Sequence, residues 1–97
     1  MAIYIVLVNF TDQGIRKVKD TTKRADAVRE MAKKLGVTAK EIYWTLGNYD
    51  AVHIYEAPDD ASIAALLASV GALGNVRTQT SRAFSQADMK GILAKLG

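Results

Sequence analysis

The sequence predicts an α+β domain, with a four-stranded antiparallel sheet carrying two main helices on one face. Three observations carry this. Residues 3–10 are apolar on both alternating faces, the pattern of a strand covered on two sides. Residues 41–45 and 51–55 are rich in aromatic and β-branched residues and flank Gly47-Asn48, a dipeptide suited to the positive φ of a tight turn, so they read as a hairpin. Two apolar stripes of helical period, over residues 25–35 and 63–70, alternate with these strands.

In chain order, residues 3–10 form the first strand, with Ile3, Ile5 and Leu7 on one face and Tyr4, Val6, Val8 and Phe10 on the other. Thr11 caps a short helix that turns Ile15 and Val18 inward, and Asp20-Thr21-Thr22 reads as a second cap. The stripe of Ala25, Val28, Met31, Ala32 and Leu35 follows, and Gly36 ends it. The hairpin occupies residues 39–57. A turn centred on Gly47 and Asn48 sets Thr45 opposite Asp50, Trp44 opposite Ala51, Tyr43 opposite Val52 and Ile42 opposite His53. Pro58-Asp59-Asp60 stops the strand and starts a helix with Ile63, Leu66, Leu67 and Val70 inward, closed by Gly71 and Gly74. Residues 76–84 form a fourth, more polar strand. Ser85-Gln86-Ala87-Asp88 resembles a capping box and opens a terminal helix with Met89, Ile92, Leu93 and Leu96 inward.

Strand, helix, strand, strand, helix, strand is the ferredoxin-like βαββαβ order, here with a short C-terminal helix, in a single domain over residues 1–97. Its helices cover one sheet face only. The first strand and the hairpin are apolar on both, so the open face calls for a second layer, most simply another copy of the same sheet. The expected assembly is a homodimer or higher homo-oligomer of the dimeric αβ-barrel type.

Composition narrows the chemistry. There is no Cys and one His, which excludes a disulfide framework and argues against a zinc centre. The apolar N-terminal run is too short for a signal peptide or a membrane span, so a cytoplasmic protein with no membrane partner is expected. Eight of the 13 basic residues fall between Arg16 and Lys34, but no aromatic residue is interleaved with them. The run reads as a solvated helix face, and no nucleic-acid partner is expected.

Tyr43-Trp44-Thr45-Leu46-Gly47-x-Tyr49-Asp50, then Glu56-Ala57-Pro58-Asp59-Asp60, then Gly74-Asn75-Val76-Arg77-Thr78-x-Thr80 with Arg82-Ala83-Phe84, together resemble the GYD-domain family. The resemblance covers essentially the whole chain. It implies a ferredoxin-like fold and oligomerisation, and no particular activity. The Gly-x-Tyr-Asp and Gly-x-Val-x-x-Thr-x-Thr stretches are also similar, more distantly, to the effector-binding domain of leucine-responsive transcription regulators. That similarity implies sheet-to-sheet pairing and a small-molecule ligand near an interface.

The candidate ligand-binding residues are Trp44, Tyr49, Asp50, His53, Arg77 and Arg82, on the hairpin and the fourth strand. Asp50 is either an anchor for an ammonium or hydroxyl group or the carboxylate that secures the turn. His53 is either a hydrogen-bonded packing residue or a general base. Arg77 and Arg82 face opposite ways, and either could bind a carboxylate. No nucleophile–base pair, phosphate loop or acidic metal cluster is legible, so no catalytic residue, metal or cofactor is assigned. The expected function is a non-enzymatic module binding a small metabolite at or near a subunit interface. The alternative is a small cofactor-free isomerase or monooxygenase of the dimeric αβ-barrel type, using His53.

Overall fold

Strand β1 (Ala2–Phe10) is the second-from-edge strand on which the sheet is built. The computed structural model covers residues 1–97. After β1 come α1 (Asp12–Arg16), a 3-10 turn (Val18–Asp20), α2 (Thr21–Lys34), β2 (Thr38–Trp44), β3 (Ala51–Ala57), α3 (Asp60–Ala72), β4 (Val76–Ala83) and α4 (Gln86–Leu93). The strand order is β2-β3-β1-β4 with every neighbour antiparallel, the predicted ferredoxin-like sheet. The hairpin takes the predicted register, Trp44 opposite Ala51, Tyr43 opposite Val52 and Ile42 opposite His53, with a β-bulge between Ala39 and Glu41.

Alternation along the strands decides what is buried. Tyr4, Val6 and Val8 of β1 and Ala51, Tyr55 and Ala57 of β3 face the helices, where Val28, Ala32, Ile63, Leu66 and Val70 complete the core. A fully buried side chain such as Val6 or Leu66 stabilises the fold by about 1.5–3 kcal/mol. The intervening residues Ile3, Ile5, Leu7, Val52, Ile54 and Tyr43 point the other way. On this face Ile5 is 37% and Tyr43 53% exposed, and the other four are half-buried. The shortest dimension of the chain is 18 Å, enough for one sheet and one helix layer but not for a third.

Local signals act as expected at most helix ends. Thr11 Oγ1 accepts the Gly14 N–H at 3.1 Å, and the Asp59 carboxylate accepts the Ser62 N–H at 2.8 Å. Ser85 and Asp88 form the reciprocal capping box, both bonds at 3.0 Å. Gly36, at φ +72°, releases the chain from α2.

Three expectations are corrected. Asp20 precedes α2, but its side chain makes no capping bond. It leaves a 3-10 turn at φ −92°, ψ 3°, whereas a capping side chain needs an extended backbone. Ile15 and Val18 are exposed, because α1 is a single turn and docks through Gly14 instead. Of the apolar residues expected inward at α4, only Ile92 is half-buried. Met89 is 39%, Leu93 55% and Leu96 69% exposed, since the helix leaves an edge strand at the end of the sheet.

Candidate functional site

The turn between β2 and β3 is held by its own polar groups. Thr45 N–H donates to the Asp50 carbonyl at 2.9 Å, and Thr45 Oγ1 to the Tyr49 carbonyl at 2.7 Å. Gly47 takes φ +104°, the conformation for which a glycine was expected. Asp50 then reaches β1 twice. Its N–H donates to the Val8 carbonyl at 2.8 Å, and its Oδ2 accepts the Phe10 N–H at 2.8 Å. Tyr49 crosses to the other edge, its hydroxyl donating to Gln79 Oε1 at 3.2 Å. These contacts make Tyr49 and Asp50 clasps between the turn and the sheet. Asp50→Ala is therefore expected to cost about 1.5 kcal/mol in denaturant unfolding, the loss of one charge-assisted hydrogen bond. A variant as stable as the parent would remove the clasp role.

On the helix side, α2 and α3 stand apart over the sheet and leave a cleft of about 100 Å³. Its walls are apolar, with Val28 and Met31 from α2, Leu67 and Val70 from α3, and Val8 and Ala51 from the sheet. Trp44 stands at one side, its Nε1–H donating to Thr21 Oγ1 at 3.0 Å. Arg24 stands beside it, with Nη1 donating to the Lys17 carbonyl at 2.8 Å and Nη2 to the Gly14 carbonyl at 3.2 Å. Its guanidinium lies over the Phe10 ring, 5.9 Å from the centroid.

His53 and Tyr55 also line the cleft, two residues apart on β3 and hence on one face. The Tyr55 hydroxyl lies 2.7 Å from His53 Nδ1. Burial, joined by the charge of Arg29, pushes the His53 imidazole from 6.5 down to about 4. Burial pushes the Tyr55 phenol up. Both are thus neutral at pH 7. The two neutral groups share one hydrogen bond, whose direction follows the imidazole tautomer. Arg29 itself donates to the Ala39 carbonyl at 2.7 Å.

Of the six candidate residues, Trp44 and His53 meet in this cleft, while Tyr49, Asp50, Arg77 and Arg82 do not line it. Arg77 is exposed, opposite Asn9 on the open face. Arg82, opposite Tyr4, lies 5.7 Å from the Tyr4 centroid and 4.6 Å from that of Phe84. Thr21, Arg24 and Tyr55 are cleft residues not singled out from the sequence. For the first two a signal exists, since positions 21, 24, 25 and 28 fall on the same helical face as the apolar stripe. Among the side chains there is no group of three or more His, Cys, Asp or Glu able to hold a metal ion, and no helix is long and apolar enough to cross a membrane.

The topology and the helix-side cleft together define a small ferredoxin-like domain. The chain belongs to the GYD domain family, whose profile matches residues 4–93. A Thermus thermophilus relative is 33% identical over 90 residues, covering 92% of this chain and 95% of the relative, and is named glutamine synthetase and cystathionine beta-lyase binding protein. The crystal structure of TTHA0845 from Thermus thermophilus aligns at TM-score 0.57 and 24% identity, covering 88% of this chain and 95% of that one. The crystal structure of MtbAldR (Rv2779c) aligns at TM-score 0.69 and 13% identity over 88% of this chain. The match spans about half of that longer protein, 54%. At these identities the two structures show a shared fold.

Proposed function

We propose that this chain is a non-enzymatic binding module that assembles with copies of itself through its open sheet face and takes a small metabolite close to that interface. One observation carries the reading. A sheet that is apolar on both sides has its core helices on only one, so Ile3, Ile5, Leu7, Val52, Ile54 and Tyr43 form an apolar face outside the core, with Ile5 and Tyr43 exposed and the rest half-buried. The cleft lies just across the sheet from that surface, so a ligand there sits near the interface rather than within it. His53 supports a binding role over the enzymatic alternative. An imidazole held at about 4, with Nδ1 occupied by Tyr55, is poorly matched to taking protons at neutral pH.

Size exclusion with light scattering tests the assembly. The parent chain is expected to run at a multiple of 10.5 kDa, and Leu7→Glu with Ile54→Lys at 10.5 kDa. A parent species at 10.5 kDa across micromolar concentrations would overturn self-assembly. It would leave the open face to a second reading, favoured by the name of the Thermus relative, in which that face docks on a metabolic enzyme.

A further inference from the structure

We infer that the cleft between α2 and α3 is built for a small monocarboxylic acid with an apolar or aromatic body, its carboxylate held by Arg24. This rests on the binding reading above and gives the ligand its chemical class. Three observations meet there: the walls, the volume and the charge. The walls are apolar side chains of α2, α3 and the sheet. The volume is about 100 Å³, somewhat under the roughly 150 Å³ of an engineered cavity that takes benzene. The enclosed part therefore suits a small ring or a branched chain, with a polar head left toward the open side.

Charge selects the head. No Asp or Glu lines the cleft. The chain has two salt bridges, Lys33–Glu30 and Lys40–Glu56, so Arg24 has no carboxylate partner of its own. Two backbone carbonyls fix its guanidinium in place, and its other N–H groups take no partner. A cation held in this way is preorganised, and a carboxylate reaching it gains charge-assisted hydrogen bonds. Thr21 accepts from Trp44 through Oγ1 and keeps its own hydroxyl proton to donate. The His53–Tyr55 pair adds no negative charge, and Arg29 adds a positive one nearby. A ligand amine would meet only like charge, and a neutral amide would forgo the ionic component.

Benzoate, benzamide and benzylamine share a ring and differ in the head group, which makes them suitable probes. Binding to the full chain at pH 7 can be followed by the fluorescence of Trp44, the sole tryptophan, and by the amide resonances of Thr21, Arg24, His53 and Thr78. Benzoate is expected to bind about tenfold or more tightly than benzamide, with benzylamine weakest. Arg24→Gln should bring benzoate to the benzamide level and leave benzamide unmoved. Arg24→Lys, which keeps the charge if the glutamine variant fails to fold, should retain part of the preference. Equal affinities for benzoate and benzamide, or a preference that survives in Arg24→Gln, would overturn the carboxylate class while leaving a neutral ligand open to the module. If none of the three probes perturbs the cleft, the assignment of this cleft is overturned. Self-assembly through the opposite face, read separately by light scattering, is untouched by that result.

Discussion

Gly14→Ala is expected to destabilise the protein by about 3 kcal/mol, since no other glycine in the chain sits so close to a neighbouring backbone. A methyl group at Gly14 would lie 2.0 Å from the Asn75 backbone carbonyl oxygen, and since a Cβ has no torsion of its own and the carbonyl is main chain, neither can swing aside. The close approach exists because α1 is fastened to the segment joining α3 and β4. Thr11 N–H donates to the Asn75 carbonyl at 3.0 Å, Thr11 Oγ1 to the Gly74 carbonyl at 2.6 Å, and Gln13 Nε2 to the Leu73 carbonyl at 3.0 Å. Relieving the overlap means withdrawing α1 and giving up these bonds, and it moves the Gly14 carbonyl that holds Arg24. A thermal midpoint lower by at least about 10 °C is expected. Gly71→Ala is the matched control. It lies inside α3, has nothing within 4 Å of a new methyl, and should gain about 0.5–1 kcal/mol from helix propensity. Equal melting of the two variants would remove the steric account.

The second large effect is on pH. His53 has a folded-state pKa of about 4 against an ordinary value of 6.5. Between these values the unfolded chain binds a proton that the folded chain does not, so stability rises with pH across the window. The contribution is complete above about 6.5, is lost as pH falls toward 4, and is constant below that, amounting in all to about 3 kcal/mol. Asp59 and Asp88 lie below 3.8, so stability tied to their ionisation is lost only in more acid solution. Denaturant unfolding from pH 7.5 to 4 should show the slope in the parent and not in His53→Gln, whose amide can still hydrogen-bond Tyr55. A slope unchanged in the variant would place the proton elsewhere.

The parts of the fold legible in the sequence are those set by neighbours along the chain. The doubly apolar pattern of residues 3–10 marks a central strand, and β1 indeed has a strand on each flank. The Gly47-Asn48 turn fixes the hairpin register, and Ser85 and Asp88 announce their own cap. What was not legible depends on residues far apart in sequence. Ile15 looks inward by period, but the meeting of Gly14 with Asn75 decides how α1 sits. The α4 stripe reads as a core face only if something stands opposite, and in its own chain only Ile92 is half-covered. The site divides the same way. His53 and Trp44 stand out by type, but Arg24 is hidden in a run of exposed charges until α2 is laid over Trp44 and Phe10.

The bulge in β2 has a consequence for the shape of any polymer. Unpaired strand edges are templates on which chains add end to end into fibres. Here β2 kinks between Ala39 and Glu41, and Lys40 at the kink pairs with Glu56 at 3.5 Å. At the opposite edge, β4 presents exposed Arg77, Gln79 and Ser81. A ladder of added strands would have to cross a dislocation on one side and displace hydrated polar groups on the other. Growth of the sheet in its own plane is therefore blocked at both ends.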